Sequence, residues 1–176
     1  MLFRSLCFHI AEAVAILHSL GMVHHDLKPH NILVSAAERP TIIDFGDSRT
    51  VKRGTMSPIE DGLGRGTITY MAPELLSSST TQYNPFAADV YSFGVLLYYI
   101  LNRGEKDPWS EIPPHRSVFL ILAIQKGFFA GGYNDRTLID ASFDSRLIGL
   151  LDSCLALDAS IRPSMEHCAD VLRSLQ

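Results

Sequence analysis

The most informative part of this sequence is the polar segment His24-His25-Asp26-Leu27-Lys28-Pro29-His30-Asn31. It places a carboxylate at Asp26, a lysine two residues later and a side-chain amide at Asn31 in one stretch that also contains a proline. Polar residues and proline are typical of loops, so the segment is predicted to be a loop. Taken singly, Asp26 also fits a loop or cap residue and Asn31 a turn or helix cap, so both interpretations stay open at this point.

Two short runs rich in β-branched residues follow, Ile32-Leu33-Val34 and Thr41-Ile42-Ile43, separated by the turn-like residues 36–40. They predict a small β-hairpin beside the loop. Asp44-Phe45-Gly46 comes next, eighteen positions after Asp26. By itself this tripeptide is equally consistent with an ordinary turn after a strand.

The segment from residue 44 to about residue 69 shows little hydrophobic periodicity and is rich in Gly, Ser and Thr. It predicts one long loop, ordered or mobile, and loops of this length inside a compact domain are usually functional or disordered. Ala72-Pro73-Glu74 closes the segment, and a short turn is predicted to begin at Pro73.

Hydrophobic periodicity predicts that the rest of the chain is mainly helical. Apolar residues recur at three- and four-residue steps over the first twenty residues, which predicts an amphipathic helix capped at Gly21. A helix that opens at Asn84-Pro85 and runs to about Leu101 is apolar on nearly all sides, so it is predicted to be central and buried. Further helices are predicted over residues 116–125, 145–156 and 164–175.

Composition limits the classes of protein to which the chain can belong. With 176 residues, 47% of them hydrophobic, the chain is predicted to be one packed domain or a large piece of one, without a linker or internal repeat. A net charge of −4 argues against nucleic acid or an anionic membrane as the main partner. Three widely separated cysteines predict a reduced, cytoplasmic chain, and seven histidines without ligand spacing give little support to a metalloprotein. His9 and Glu12 interrupt the only stretch that resembles a signal peptide.

The three motifs, in this order, resemble those of the eukaryotic protein kinase family, namely its catalytic loop, its D-F-G motif and its A-P-E motif. Six fixed positions in the first motif alone would match by chance at roughly 10⁻⁸ per start point, at about 5% usage per residue type. The resemblance implies a mainly α fold, a protein-kinase-like C-terminal lobe. It would be a helical bundle with a small β-hairpin next to the catalytic loop.

The resemblance also implies roles for individual residues. Asp26 would accept the proton of the substrate hydroxyl, and Lys28 would contact the transferred phosphate, as in kinases that act on serine and threonine. Thr67 would hydrogen-bond toward Asp26 and Lys28. Asn31 and Asp44 would hold Mg²⁺, which prefers oxygen ligands, and with Lys28 they would bind ATP. Leu33 would form the floor beneath the adenine, although it is equally consistent with a simple core strand residue.

Residues farther along the chain extend the resemblance. Asp89 resembles the aspartate that anchors the backbone of the catalytic loop, and Arg162 the arginine that pairs with the glutamate matched here by Glu74. His25 departs from the pattern, because the family usually has an arginine there that holds a phosphorylated residue. A histidine is mostly neutral at pH 7 and would bind phosphate weakly, so activation by loop phosphorylation is not expected.

The N-terminal lobe of a kinase supplies a Gly-rich loop and a strand lysine, but here the first glycine is Gly21 and the first lysine is Lys28. The resemblance therefore predicts that residues 1–176 form the C-terminal lobe only. Such a chain would be a truncated gene model, a split product or a genuine fragment, and its expected partners include a separate N-terminal lobe or partner protein. Two functions follow: phosphoryl transfer from ATP to Ser/Thr hydroxyls of a protein substrate, or a non-catalytic kinase-like module for binding or scaffolding.

Overall fold

A computed structural model of the protein describes residues 2–59, 66–105, 108–109, 112, 117–127 and 143–176. Helices dominate these residues, and small antiparallel sheets account for the strands. The α-helices are α1 (Leu2–Ser19), α2 (Pro85–Leu101), α3 (Ser117–Lys126), α4 (Ser145–Cys154) and α5 (Met165–Arg173). All five predicted helices are confirmed, with ends that differ from the predicted ones by no more than three residues.

Helix α2 is the centre of the molecule, as its uniformly apolar sequence predicts. It begins at the N-cap Asn84, whose side chain accepts hydrogen bonds from the amides of Phe86 and Ala87, and Pro85 fits the first turn, where no donor is needed. One side of α2 packs against α1, α4 and α5, around Phe93 and Leu97. The other side contributes Tyr91 and neighbours to a second cluster that contains residues of α3 and of segment 70–76.

Three two-stranded antiparallel sheets surround the 24–31 loop. The predicted hairpin is confirmed as β2 (Ile32–Val34) paired with β3 (Pro40–Ile42), the second strand beginning one residue earlier than predicted. The other two sheets pair β1 (Met22–Val23) with β4 (Arg49–Thr50) and β5 (Ser57–Pro58) with β6 (Gln82–Tyr83).

The prediction of a featureless loop over 44–69 was therefore incomplete, because β4 and β5 lie within it. Strands of two residues are too short to produce a period-two pattern, so the sequence could not reveal them. Residues 60–65 of the predicted loop lie outside the described residues.

A tight turn at Gly21 connects the end of α1 to the 24–31 loop. Gly21 has a left-handed backbone with φ of +72°, and a Cβ atom there would lie 2.9 Å from the carbonyl oxygen of Val51. Only glycine combines that conformation with so close an approach, in agreement with the predicted cap. Within the described ranges, none of the helices is long and apolar enough to cross a membrane.

Candidate active site

The 24–31 loop rests on a buried carboxylate from α2. Asp89 is 1% exposed and accepts hydrogen bonds from the backbone amides of His24 at 2.7 Å and His25 at 2.8 Å. The Nε2 of His18 lies 3.1 Å from the same carboxylate and donates to it. Burial is the largest influence and raises the pKa of Asp89, but the bonded His18, the nearby His25 and the His24 amide together leave that pKa lowered. The anchor is thus an ionised group whose hydrogen bonds fix the loop backbone from inside the protein.

Above this anchor, Asp26 is the acceptor of a compact hydrogen-bond cluster. Its Oδ1 accepts from the amide of Thr67 at 3.0 Å and from the Thr67 hydroxyl at 2.9 Å. Its Oδ2 accepts from the Nδ2 of Asn31 at 3.0 Å and lies 2.6 Å from the Nζ of Lys28. Desolvation is the largest influence and raises the pKa of Asp26, yet the bonds from Lys28, Thr67 and Asn31 outweigh it and lower the pKa overall. Asp26 is therefore held as a carboxylate at neutral pH.

Lys28 and Thr67 form one unit with Asp26. The Lys28 ammonium also donates to the Thr67 hydroxyl at 2.8 Å, so the three side chains close a triangle between two distant parts of the chain. Gly66 makes this approach feasible, because its φ is +111° and a Cβ there would lie 2.5 Å from the carbonyl oxygen of His25. A side chain at residue 66 would push Thr67 away from Asp26.

Asn31 joins the cluster to the residues around Asp44. Both hydrogens of its Nδ2 are directed at Asp26, to the backbone oxygen at 2.8 Å and to the carboxylate. Its backbone oxygen accepts a hydrogen bond from the amide of Ile43 at 2.9 Å. This bond brings Asp44, the residue that follows Ile43, close to Asn31. Asp44 is exposed and has a left-handed backbone with φ of +63°, and its Oδ1 accepts from the Gly46 amide at 3.4 Å.

The structure therefore brings four of the six predicted site residues into direct contact: Asp26, Lys28, Asn31 and Thr67. Asp44 adjoins them through the backbone, on an open surface. Leu33 lies in β2, opposite Thr41, with 56% of its surface exposed. It is thus a residue of an exposed strand face and not a core residue.

The residues proposed for metal binding are an amide and a single carboxylate, Asn31 and Asp44. Among the described residues, no group of three or more His, Cys, Asp or Glu side chains could hold a metal ion by itself. Oxygen donors in such small number suit Mg²⁺, which keeps waters and phosphate oxygens as its remaining ligands, so the residues present fit this ion. They do not fit Zn²⁺, which in structural sites takes four nitrogen or sulfur ligands.

The predicted pair of Glu74 and Arg162 is present and bidentate. The Arg162 guanidinium donates to the Glu74 carboxylate at 2.7 Å and 2.8 Å, and to the backbone oxygens of Ala156 at 2.8 Å and Ala87 at 3.0 Å. It also lies over the ring of Tyr91, with 5.0 Å between guanidinium and ring centroid. This pair fastens the end of the 66–74 segment to the helical core.

Sequence reasoning missed two residues that contact this region. His18 occupies the buried stripe of α1, four residues after Val14, and that position was a usable signal for a buried partner. Tyr83 donates or accepts at the ring of His25, with 3.0 Å between its hydroxyl and Nε2. A lone tyrosine in a two-residue strand carries no sequence signal for such a contact.

Comparison of the sequence with known proteins identifies relatives of this chain. The chain matches the family "Protein kinase domain" over residues 2–171. It is 33% identical over 174 residues to a probable LIM domain-containing serine/threonine-protein kinase of Dictyostelium discoideum, an alignment covering 97% of this chain and 16% of that protein. A dual serine/threonine and tyrosine protein kinase of Apis mellifera is 30% identical over 167 residues, covering 95% of this chain and 16% of that protein.

A further relative in Dictyostelium discoideum, the dual specificity protein kinase shkE, is 33% identical over 164 residues, which cover 92% of this chain and 21% of that protein. The chain thus spans about one sixth to one fifth of the length of these relatives. The match over residues 2–171 takes in α1 to α4, most of α5 and every predicted site residue. The chain belongs to the protein kinase family.

Proposed function

We propose that residues 1–176 form the C-terminal lobe of a protein kinase domain that transfers a phosphoryl group from ATP to serine or threonine hydroxyls of a protein. The observation that carries this proposal is the Asp26 carboxylate, which has four hydrogen-bond donors at 2.6–3.0 Å from Lys28, Thr67 and Asn31. A carboxylate so completely oriented, at the rim of an open surface, has the geometry of a positioned general base.

Asp26 would accept the proton that the substrate hydroxyl loses as its oxygen bonds to phosphorus and the bond to the leaving oxygen breaks. A base must be ionised to do this, and the lowered pKa of Asp26 keeps it so at neutral pH. Its hydrogen bonds also fix the direction of the carboxylate, because Thr67 holds one oxygen while Lys28 and Asn31 hold the other.

Lys28 would place a positive charge beside the phosphoryl group during transfer. Its ammonium is held by both Asp26 and Thr67, so the charge is already oriented before any substrate is bound. Lys28 and Thr67 together support serine and threonine as acceptors. The printed names of two relatives include tyrosine or dual specificity, so the acceptor residue is part of the test below.

Asn31 and Asp44 would hold Mg²⁺, and Leu33 would lie beneath the adenine of ATP. When bound, Mg²⁺–ATP supplies the transferable phosphoryl group and the cation that neutralises its charge. The Nδ2 of Asn31 is committed to Asp26, which leaves the Oδ1 of Asn31 as the atom for the metal. Leu33 presents an exposed apolar surface suited to packing against the flat face of an aromatic ring.

A second candidate is a non-catalytic kinase-like module that binds or scaffolds other proteins. It applies to residues 1–176 taken by themselves, in which no lysine precedes Lys28 and no glycine precedes Gly21. The family's Gly-rich loop and strand lysine, which orient the nucleotide phosphates, therefore have no counterpart upstream of the 24–31 loop within this sequence.

The deciding experiment joins residues 1–176 behind a complete kinase N-terminal lobe and measures phosphate transfer to peptides that carry Ser, Thr or Tyr. Transfer to Ser and Thr that falls at least a hundredfold in Asp26→Asn is expected, since general-base catalysis contributes about 10²–10⁴-fold. Asp170→Asn is the matched control, because Asp170 is an exposed carboxylate on α5 that pairs only with Arg173 among the described residues. Activity that is absent favours the non-catalytic module, whereas activity that is equal in Asp26→Asn would remove Asp26 from the role of general base.

The nucleotide site has its own test in the same joined protein. Asp44→Asn removes the carboxylate without changing side-chain volume, so Mg²⁺-dependent stabilisation by ATP is expected to disappear while the melting temperature without ATP stays the same. An equal thermal shift in parent and variant would remove Asp44 from the proposed metal site.

A further inference from the structure

His25 lies at the point where three parts of the chain meet. Its ring Nδ1 is 3.2 Å from the backbone oxygen of Asp47, and its Nε2 is 3.0 Å from the hydroxyl of Tyr83. Its backbone amide is held by Asp89, and its carbonyl oxygen lies against Gly66. His25 therefore contacts the start of the 44–59 segment, the strand that leads into α2, and the approach to Thr67.

The chemistry of the two partners decides which ring nitrogen of His25 carries a hydrogen. A backbone carbonyl can only accept, so the Nδ1 of His25 carries a hydrogen and donates it to Asp47. In the neutral ring the Nε2 is then an acceptor, and the Tyr83 hydroxyl donates to it. The link is complete with no net charge.

Tyr83 extends the link to the middle of the 44–59 segment. Its strand β6 pairs with β5, so that Tyr83 lies opposite Ser57, and the amide of Ile59 donates to the oxygen of Thr81 at 3.1 Å. One aromatic side chain thus connects His25 to a strand that holds residues 57–59 in place. The segment is fastened at Asp47 directly and at Ser57–Pro58 through Tyr83.

The same surroundings make the site unsuitable for a phosphate. His25 is 9% exposed, both of its ring nitrogens are used, and the carboxylates of Asp47 and Asp89 face it, opposed by the guanidinium of Arg49. Burial is the largest influence on the pKa of His25 and lowers it, which favours the neutral ring. A neutral buried ring beside two carboxylates offers no charge to hold a phosphate dianion.

We infer that Tyr83 is a positioning residue: through its hydrogen bond to His25 it holds the 44–59 segment in place without a phosphate group. The catalytic part of this inference rests on the proposed function, whereas the ordering of the segment does not. Tyr83 touches none of the reacting groups and acts through His25, whose neighbour in the chain is Asp26.

Amide hydrogen exchange in the 176-residue chain, prepared unphosphorylated and treated with phosphatase, measures this ordering directly. The amides of Ser57 and Ile59, on either side of Pro58, are expected to be protected, and Tyr83→Phe is expected to speed their exchange roughly fivefold, the effect of losing about one hydrogen bond. Tyr99→Phe is the matched control, since it removes the same hydroxyl near the far end of α2. The ¹⁵N resonances of His25 should show the Nδ1–H tautomer in the parent and a changed Nε2 signal in Tyr83→Phe.

His25→Asn supplies the second variant. Asparagine tolerates the left-handed backbone of residue 25, whose φ is +65°, and its amide can still donate toward Asp47. In that background Tyr83→Phe should cause no further change in amide exchange at Ser57 and Ile59. The inference is overturned if Tyr83→Phe speeds exchange no more than Tyr99→Phe does. It is also overturned if Tyr83→Phe speeds exchange in α5 as much as at Ser57 and Ile59, because that would be a general loss of stability. Protection of the Ser57 and Ile59 amides that requires a phosphorylated chain would also overturn it. None of these readouts depends on kinase activity, so they stand even if no phosphate transfer is found.

Discussion

The two sides of the 24–31 loop differ sharply. On the inner side, Asp89 is buried and its carboxylate receives two backbone amides and a histidine ring, while Leu27 is fully enclosed in the core. On the outer side, Leu33 is 56% exposed and Phe45 is 44% exposed, and Asp44 lies open to solvent between them in the chain. The loop is thus completed from below by satisfied hydrogen bonds, whereas its upper face presents apolar side chains that another packed surface would cover.

The difference separates two requirements of catalysis. Under the proposed function the orientation of the base comes from this chain, because Asp26 obtains its hydrogen-bond donors from Lys28, Thr67 and Asn31. Enclosure of a nucleotide depends on the outer side, where water can reach and screen the charges. Orientation without enclosure should give a poor catalyst.

The largest expected effect follows from that separation. Residues 1–176 alone should transfer phosphate at least a thousandfold more slowly than the same residues joined behind a complete kinase N-terminal lobe, since effective positioning contributes about 7–11 kcal/mol to such reactions. Both proteins are assayed on one Ser/Thr peptide at equal Mg²⁺–ATP. Robust turnover by residues 1–176, lost in Asp26→Asn, would show that enclosure from above is unnecessary.

The inner side should be costly to break. Asp89→Ala leaves two buried amides and the His18 ring without their acceptor, and each stranded donor costs about 1–3 kcal/mol, so a loss on the order of 4 kcal/mol in the free energy of unfolding is expected. Asp44→Asn is the control on the outer side, where a loss within about 0.5 kcal/mol is expected for an exposed residue, because asparagine also tolerates the left-handed backbone of residue 44. Urea denaturation of both variants measures the contrast, and equal losses would contradict it.

The Glu74–Arg162 pair tests whether removing a buried, hydrogen-bonded charge is also costly to stability at the end of the 66–74 segment. Removing either partner leaves the other charge unpaired in a mostly buried site, at a cost of roughly 3–5 kcal/mol, and the double replacement should cost much less than the two single ones together. A double-mutant cycle with Glu74→Gln and Arg162→Met in urea provides the coupling energy. Additive losses would mean that the bidentate contact contributes no net stability.

The smallest effect concerns pH. Burial lowers the pKa of His25 in the folded protein, so the unfolded chain binds the proton more readily. The stability that depends on a neutral His25 is present above about pH 6.5, the ordinary value, and is lost as the pH falls toward the lowered pKa. The slope of unfolding free energy against pH below 6.5 should be shallower in His25→Asn. Parallel curves for parent and variant would rule out this contribution.

The helices and the hairpin could be predicted from the sequence because each shows a hydrophobic or β-branched pattern that extends over several residues. The run that became α2 and the pair β2–β3 are of this kind. The short strands β4, β5 and β6 were not predicted, since two residues carry no period and their pairing is decided by contacts between distant segments.

The candidate site divides in the same way. Asp26, Lys28, Asn31 and Asp44 were identified because their fixed spacing resembles a known family, and Thr67 because its motif closes the long segment. The contacts of Tyr83 and His18 were not, because they join residues 58 and 71 positions apart through single side chains. Nothing local in the sequence records such a contact.

The most direct test of the central claim, that the loop is completed from below and open above, is amide hydrogen exchange in the unmodified 176-residue chain. The amides of His24, His25 and Thr67, which donate to Asp89 or Asp26, should exchange only with an opening free energy close to that of global unfolding. The amides of Phe45 and Gly46, on the exposed outer side, should exchange many times faster. Fast exchange at His24 and His25, or equal protection on the two sides, would contradict the account.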